Sequence, residues 1–262
     1  MFNRILKKLI LSKIDLNSHL RFLKSKATGN EKHILIACLP KSGSTFIAKT
    51  LCEITGFKFV QFQPVRATND HNIDSAVFYN NLSINTVTQL HLKPNLLNRK
   101  LLIENRIKVI FLYRGILDSL RSFNNHILSE NDQWFMFTAT NNYEEWAEEK
   151  QFDFLIDMVL PWYINFITSW RIELELKEID ILEIDYDDFN HDNENTLRKV
   201  LKFYGLNYSD EIIQKGLNFS FTKKTQLRYN KDLIKKKYTF NDKQLKRIKN
   251  MISYYPKCLI KI

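Results

Sequence analysis

Apolar and polar positions along this chain follow two rhythms. Continuous apolar runs bounded by turn residues, HILIACL (33–39), TVTQLHL (86–92), IKVIFLY (107–113) and IDILEIDY (179–186), read as strands buried on both faces; FKFVQF (57–62) is a shorter one. Between them, residues 44–55, 116–128, 154–177, 193–204 and 209–217 carry apolar side chains three and four apart, the spacing of helices with one buried face. Strand and helix in alternation predict an α/β fold: a single domain with a central, mostly parallel sheet flanked by helices. No internal repeat and no Gly/Ser linker divides the chain.

Two segments break the alternation. Residues 63–85 and 129–150 are polar and interleaved with Phe78, Tyr79, Trp134, Phe135, Phe137, Tyr143 and Trp146. Such stretches suit loops that cover a ligand pocket, and equally an irregular aromatic mini-core. At the N-terminus, Phe2, Ile5, Leu6, Leu9 and Ile10 recur at helical spacing with Arg4, Lys7 and Lys8 on the other side. Residues 1–30 are therefore expected to be a helical extension, packed on its own domain or lying on a membrane surface. The run ILKKLIL is too short and too charged for a membrane span or a signal sequence.

Composition narrows the partners. With 262 residues and 44% hydrophobic content the chain can bury a substantial core. Its 39 Lys and Arg against 29 Asp and Glu point to an anionic partner, which could be a nucleic acid, a lipid surface or a nucleotide. The lysines are dispersed and form no stripe, which argues against nucleic acid. Cys38, Cys52 and Cys258 are odd in number and form no C-x-x-C pair, so neither a disulfide framework nor a cysteine zinc site is expected, and a reducing cytoplasm is.

The stretch LPKSGSTF (39–46) carries the most chemistry. It lies between an apolar strand and a helical pattern, in a chain with only six glycines. A strand running into a turn and then a helix aims backbone N–H groups at whatever lies above the helix start, and Gly43 permits close approach. That makes an anion site. Lys41 adds positive charge, and Ser42, Ser44 and Thr45 add hydroxyl donors. The G-x-x-x-x-G-K-[ST] pattern of ATP-binding loops is absent, so this is a phosphate loop of another kind.

PKSGSTF resembles the 5′-phosphosulfate loop of the sulfotransferases that use 3′-phosphoadenosine 5′-phosphosulfate (PAPS). IKVIFLYRGILDSLRSF (107–123) is similar to the 3′-phosphate element of the same family, a strand ending in Arg with a Ser eight residues later; Arg114 and Ser122 fit that spacing. The resemblance implies a P-loop-like fold and two anion sites on one sheet edge. Arg114 would grip the 3′-phosphate with a charge-assisted fork, and Ser122 would add a hydrogen bond. A salt bridge from Arg114 to Asp118 is the alternative for that arginine. TQLHLKP (88–94) resembles the family's Lys-Thr-His-Leu-Pro stretch, which implies His91 as general base, although Gln89 replaces the Lys and Lys93 intrudes before Pro94. An imidazole, with an ordinary pKa of ~6.5, suits that task, and Lys41 would stabilise the leaving phosphate. A carboxylate or another imidazole in the neighbouring segments, Asp70, His71 or His126, is the alternative base, while His19, His33 and His191 look peripheral.

The resemblance extends further. IDILEIDYDDF (179–189) would put Tyr186 near the adenine, with Asp187 or Asp188 capping the next helix. Phe46 stands where many members stack an aromatic on adenine, and NFSF (218–221) would bring Ser220 toward the same base. Residues 222–244 would close over the nucleotide. The family's Arg-Lys-Gly is missing there, leaving Arg228 or Lys231 as substitutes for a 3′-phosphate contact or as part of a solvated face. The implied activity is sulfuryl transfer from PAPS to a hydroxyl of a small-molecule acceptor, a specialised metabolite among the options, leaving adenosine 3′,5′-bisphosphate (PAP) and requiring no metal. Transfer to an amine, a nucleotide kinase using ATP and magnesium, and a basic nucleic-acid or membrane-binding module are the alternatives. The absence of a transmembrane anchor points to a soluble, cytoplasmic enzyme, and the oligomeric state is open.

Overall fold

The computed structural model describes residues 32–63, 72–130, 137, 142–223 and 238–255. The apolar runs form β1 (His33–Cys38), β2 (Lys58–Phe59), β3 (Thr86–Leu90), β4 (Val109–Tyr113) and β5 (Ile181–Asp185), all parallel in the order β2-β3-β1-β4-β5. Both faces of this sheet are covered. Ile34, Ile36 and Cys38 of β1 join one core with α1 (Ser44–Thr55), while Leu35 and Ala37 join the other. That two-sided burial is why the strands read as unbroken apolar runs.

Topology sets where chemistry can occur. From β1, at the centre, the chain runs out to β2, returns through β3 on one side of β1, then crosses to β4 on the other. The reversal opens a crevice at the carboxyl ends of the strands flanking β1, the place where open α/β sheets bind ligands. Register pairs Ala37 with Leu90, Cys38 with Leu112 and Tyr113 with Asp185. The residues that follow each strand, 39–43, His91, Arg114 and Tyr186, therefore share one edge.

Several elements differ from the sequence expectations. The helix expected over 154–177 is two: α5 (Glu148–Met158) and α6 (Leu160–Leu176), parted at Val159. Pro161, second in α6, has no N–H to continue the preceding helix. The fourth long strand stops at Asp185, whose carboxylate accepts from Asp187 N at 3.0 Å and opens α7 (Tyr186–His191). The cap is thus Asp185, and neither Asp187 nor Asp188 fills that role.

The remaining helices are α2 (Ser75–Asn81), α3 (Leu96–Glu104), α4 (Ile116–Glu130), α8 (Asn193–Phe203), α9 (Asp210–Thr222) and α10 (Asp242–Ser253). Periodicity alone had not marked α2, α3 or α10. Within the two aromatic segments, Phe78 is fully buried and packs edge-on against Phe62, and Phe137 is buried in the same core. Tyr143 is buried too, and its hydroxyl donates to Asn124 Oδ1 at 2.6 Å. For these three aromatics the mini-core reading describes what is found. The expected N-terminal helix, Trp134 and Phe135 lie outside the described residues, and among those described no helix is long and apolar enough to cross a membrane.

Candidate active site

The loop after β1 is fixed through its carbonyls. Cys38 O lies 2.9 Å from His91 Nδ1, and Leu39 O accepts from both Ser42 N (3.2 Å) and Ser42 Oγ (2.6 Å). Pro40 O accepts from Tyr163 Oη at 3.2 Å, and Arg114 Nη1 is 3.5 Å from Lys41 O. Four consecutive backbone oxygens thus each have a donor of their own. An anion site needs this, because an unclaimed carbonyl beside a phosphate would repel it.

The N–H side of the loop has the opposite character. Lys41 and Gly43 adopt left-handed backbone, φ 66° and 73°, and α1 begins directly after Gly43 with no side-chain cap. Gly43, Ser44 and Thr45 therefore present N–H groups at the positive end of a helix of twelve residues. A side chain at Gly43 is excluded twice over. Its backbone is left-handed, and a Cβ would stand 2.1 Å from Cε2 of Tyr186. The Tyr186 ring lies directly against the phosphate loop, so nothing larger than glycine fits between them.

Arg114, at the end of β4, reaches the same place. Its guanidinium carbon is 5.0 Å from the centre of the Tyr186 ring. Its Nε is buried and has no hydrogen-bond partner among the described residues. The salt bridge considered for it at Asp118 is not the arrangement found: Asp118 Oδ1 is held by Arg121 Nη1 at 2.7 Å. The residue as a whole is half-buried, but a sealed Nε with no partner is costly unless an acceptor arrives. Ser122, half-buried on α4 eight residues beyond Arg114, follows on the helix that leaves this strand.

His91 follows β3 on the other side of β1. Its bond to Cys38 O decides its tautomer: a carbonyl can only accept, so Nδ1 carries the hydrogen and the lone pair is on Nε2. Cys38 Sγ lies 3.4 Å from the same ring nitrogen and 3.3 Å from Gln89 Nε2, which places Gln89 beside the thiol. Burial pushes the Cys38 thiol up to about 11, so it stays neutral beside the imidazole. The next residue is held as well, since Trp170 Nε1 donates to Leu92 O at 2.8 Å. Lys93 rests its ammonium over the Trp162 ring, 5.4 Å from the centroid.

Lys41, Ser42, Gly43, Ser44, Thr45, His91, Arg114 and Tyr186 are thus gathered on one edge, while two expected contacts are turned away. Phe46 is 1% exposed, its ring packed against Phe189 and Phe221, so in this structure it is core and offers no open face to a base. Ser220 is fully buried between α9 and α1, with its Oγ 2.8 Å from Thr50 Oγ1. Sequence neighbours of functional segments, both serve packing. His126 is buried on α4 with its ring against Phe123, which removes it from the list of open bases. Asp70, His71, Arg228 and Lys231 lie outside the described residues. Tyr163 and Trp170, which hold the two loops, were not anticipated: at helical spacing they are indistinguishable from core aromatics.

Comparison with known proteins shows the family of the chain. Residues 31–254 match the model of the sulfotransferase domain. The chain belongs to the sulfotransferase family. It is an enzyme of the PAPS-dependent kind. Among solved structures, the mouse sulfotransferase SULT7A1 complexed with PAP aligns with a TM-score of 0.64 at 16% identity, covering 86% of this chain and 83% of that one. The sulfotransferase STF1 of Mycobacterium tuberculosis aligns at 0.49 and 10% identity, covering 92% and 81%. No curated protein sequence matches. Membership in this family sets aside the kinase and the basic-module alternatives.

The residues present fit the family's donor. The unused Arg114 Nε and the N–H row at Gly43–Thr45 are features that a nucleotide with two separated phosphates would use.

Proposed function

We propose that this sulfotransferase moves the sulfuryl group of PAPS to a hydroxyl of a small-molecule acceptor, with His91 as general base. The observation that carries this reading is the hydrogen bond from His91 Nδ1 to Cys38 O. It puts the ring hydrogen on Nδ1 and the basic lone pair on Nε2. The donor supplies an electrophilic sulfur and a phosphate leaving group. Lys41 and the N–H groups of Gly43, Ser44 and Thr45 hold the 5′ end and oppose the negative charge that grows there. Arg114 and Ser122 hold the 3′-phosphate, and Tyr186 stands near the adenine. His91 Nε2 takes the proton of the acceptor hydroxyl, which keeps positive charge from building on the attacking oxygen.

The free thiols of Cys38 and Cys52 are consistent with a reducing cytoplasm as the site of action. Incubation with PAPS labelled in its sulfuryl group and a panel of phenols, aliphatic alcohols, sugars and amines tests the reaction. Label should pass to hydroxyl compounds. Transfer confined to amines would refute the acceptor class, and loss of label to water alone would refute the small-molecule reading.

A further inference from the structure

One helix holds both halves of the site. Tyr163 and Trp170 stand seven residues apart on α6, close to two full turns, so they project from one face about 10 Å apart along the axis. Tyr163 donates to Pro40 O in the phosphate loop, and Trp170 donates to Leu92 O, next to His91. Both side chains are fully buried. The next turn continues the seam: buried Glu173 binds Arg99 Nε of α3 at 2.6 Å, which ties the helix that follows the base loop to the same face.

We propose that Tyr163 and Trp170 are positioning residues that lock the donor loop and the base loop to one rigid face of α6, so that neither loop shifts without the other. Neither side chain needs to touch a substrate. The physical reason is the sensitivity of in-line transfer to the placement of base and leaving group, where a displacement of about 1 Å can cost about a hundredfold in rate. A β-strand end alone leaves the following loop free to rotate. A buried donor on a carbonyl in that loop removes the freedom, and losing the donor strands the buried carbonyl. The Trp170 half rests on the proposed role of His91; the Tyr163 half rests on the phosphate loop alone.

The test removes each donor and leaves its ring. In Tyr163→Phe, PAP affinity measured by calorimetry should fall about fivefold, as expected for one lost buried hydrogen bond. In Trp170→Phe, PAP affinity should stay within about twofold while kcat falls about tenfold, because only base placement is disturbed. In a His91→Ala background Trp170→Phe should have no further effect on the residual rate. An equal loss in both backgrounds would overturn the proposal, since a merely structural role persists without the imidazole. Unchanged PAP affinity in Tyr163→Phe would overturn its half. If His91→Ala itself retains full transfer, the base assignment and the Trp170 half fail together, and Tyr163 is still judged by PAP affinity. Should Trp170→Phe not fold, a benzothiophene analogue at position 170, which lacks only the N–H, answers the same question.

Discussion

His91 and Cys38 are joined by a hydrogen bond of 2.9 Å from the ring Nδ1 to the backbone oxygen, across the pairing of β3 with β1. The bond fixes the imidazole to the last residue of the strand that becomes the phosphate loop. His91 and the loop after β1 are therefore held together, and the tautomer this bond selects carries its lone pair on Nε2.

Replacing His91 by Ala should lower transfer by at least about a hundredfold, the usual range for a general base, while PAP affinity falls by no more than about fivefold, the share of the donor lost from Cys38 O. Steady-state rates with labelled PAPS, paired with PAP titration, check this. Loss of both together would instead mark His91 as a structural post for the loop.

Gly43→Ala should weaken PAP binding by about five- to a hundredfold. The substitution forces a Cβ into left-handed backbone and onto the Tyr186 ring, at a cost of roughly 1–3 kcal/mol in the strained state. Thermal melting and calorimetry on the variant would register it; a variant with native PAP affinity would mean that the ring moves aside freely.

Ser220→Ala tests a contact that the family resemblance implies and the fold turns away. With its hydroxyl sealed against Thr50, the variant should lose about 1 kcal/mol of stability and keep PAP affinity. A large drop in affinity at unchanged melting temperature would restore Ser220 to the nucleotide site.

Alkaline stability follows from two thiols, Cys38 buried and Cys52 half-buried. Burial raises both Cys38 and Cys52 from the usual 9.0 to about 11. Between those values the unfolded chain sheds protons that the native chain keeps, so ∂ΔG/∂pH is negative there. The contribution is complete below pH 9.0 and is lost as pH climbs to about 11. Melting temperature followed from pH 8 to pH 11 should fall, and the fall should be shallower in Cys38→Ala.

Much of this architecture was legible in the sequence because both-sided burial writes itself as apolar runs. β1, β3, β4 and β5 were read within a residue or two, and the start of α1 was set by Gly43 followed by Ser44. The break at Val159 was hidden because apolar spacing runs on across Pro161. The helices α2 and α3 owe their starts to Asp74 and Asn95, whose side chains accept from Val77 N and Asn98 N, and so to local caps more than to an apolar stripe. The candidates expected at strand ends, Lys41, His91, Arg114 and Tyr186, lie together because a parallel sheet gathers such ends. Phe46 and Ser220 misled because a motif position does not say which way a helix turns. Tyr163 and Trp170 were invisible because the carbonyls they serve, at Pro40 and Leu92, leave no mark in residue type.

Calorimetric titration of PAP into the wild-type enzyme, Lys41→Ala and Arg114→Ala measures whether one nucleotide bridges the two anion sites. Saturable binding to the wild type, weakened about tenfold or more by each substitution, is the predicted result. Equal affinity in all three proteins would contradict it.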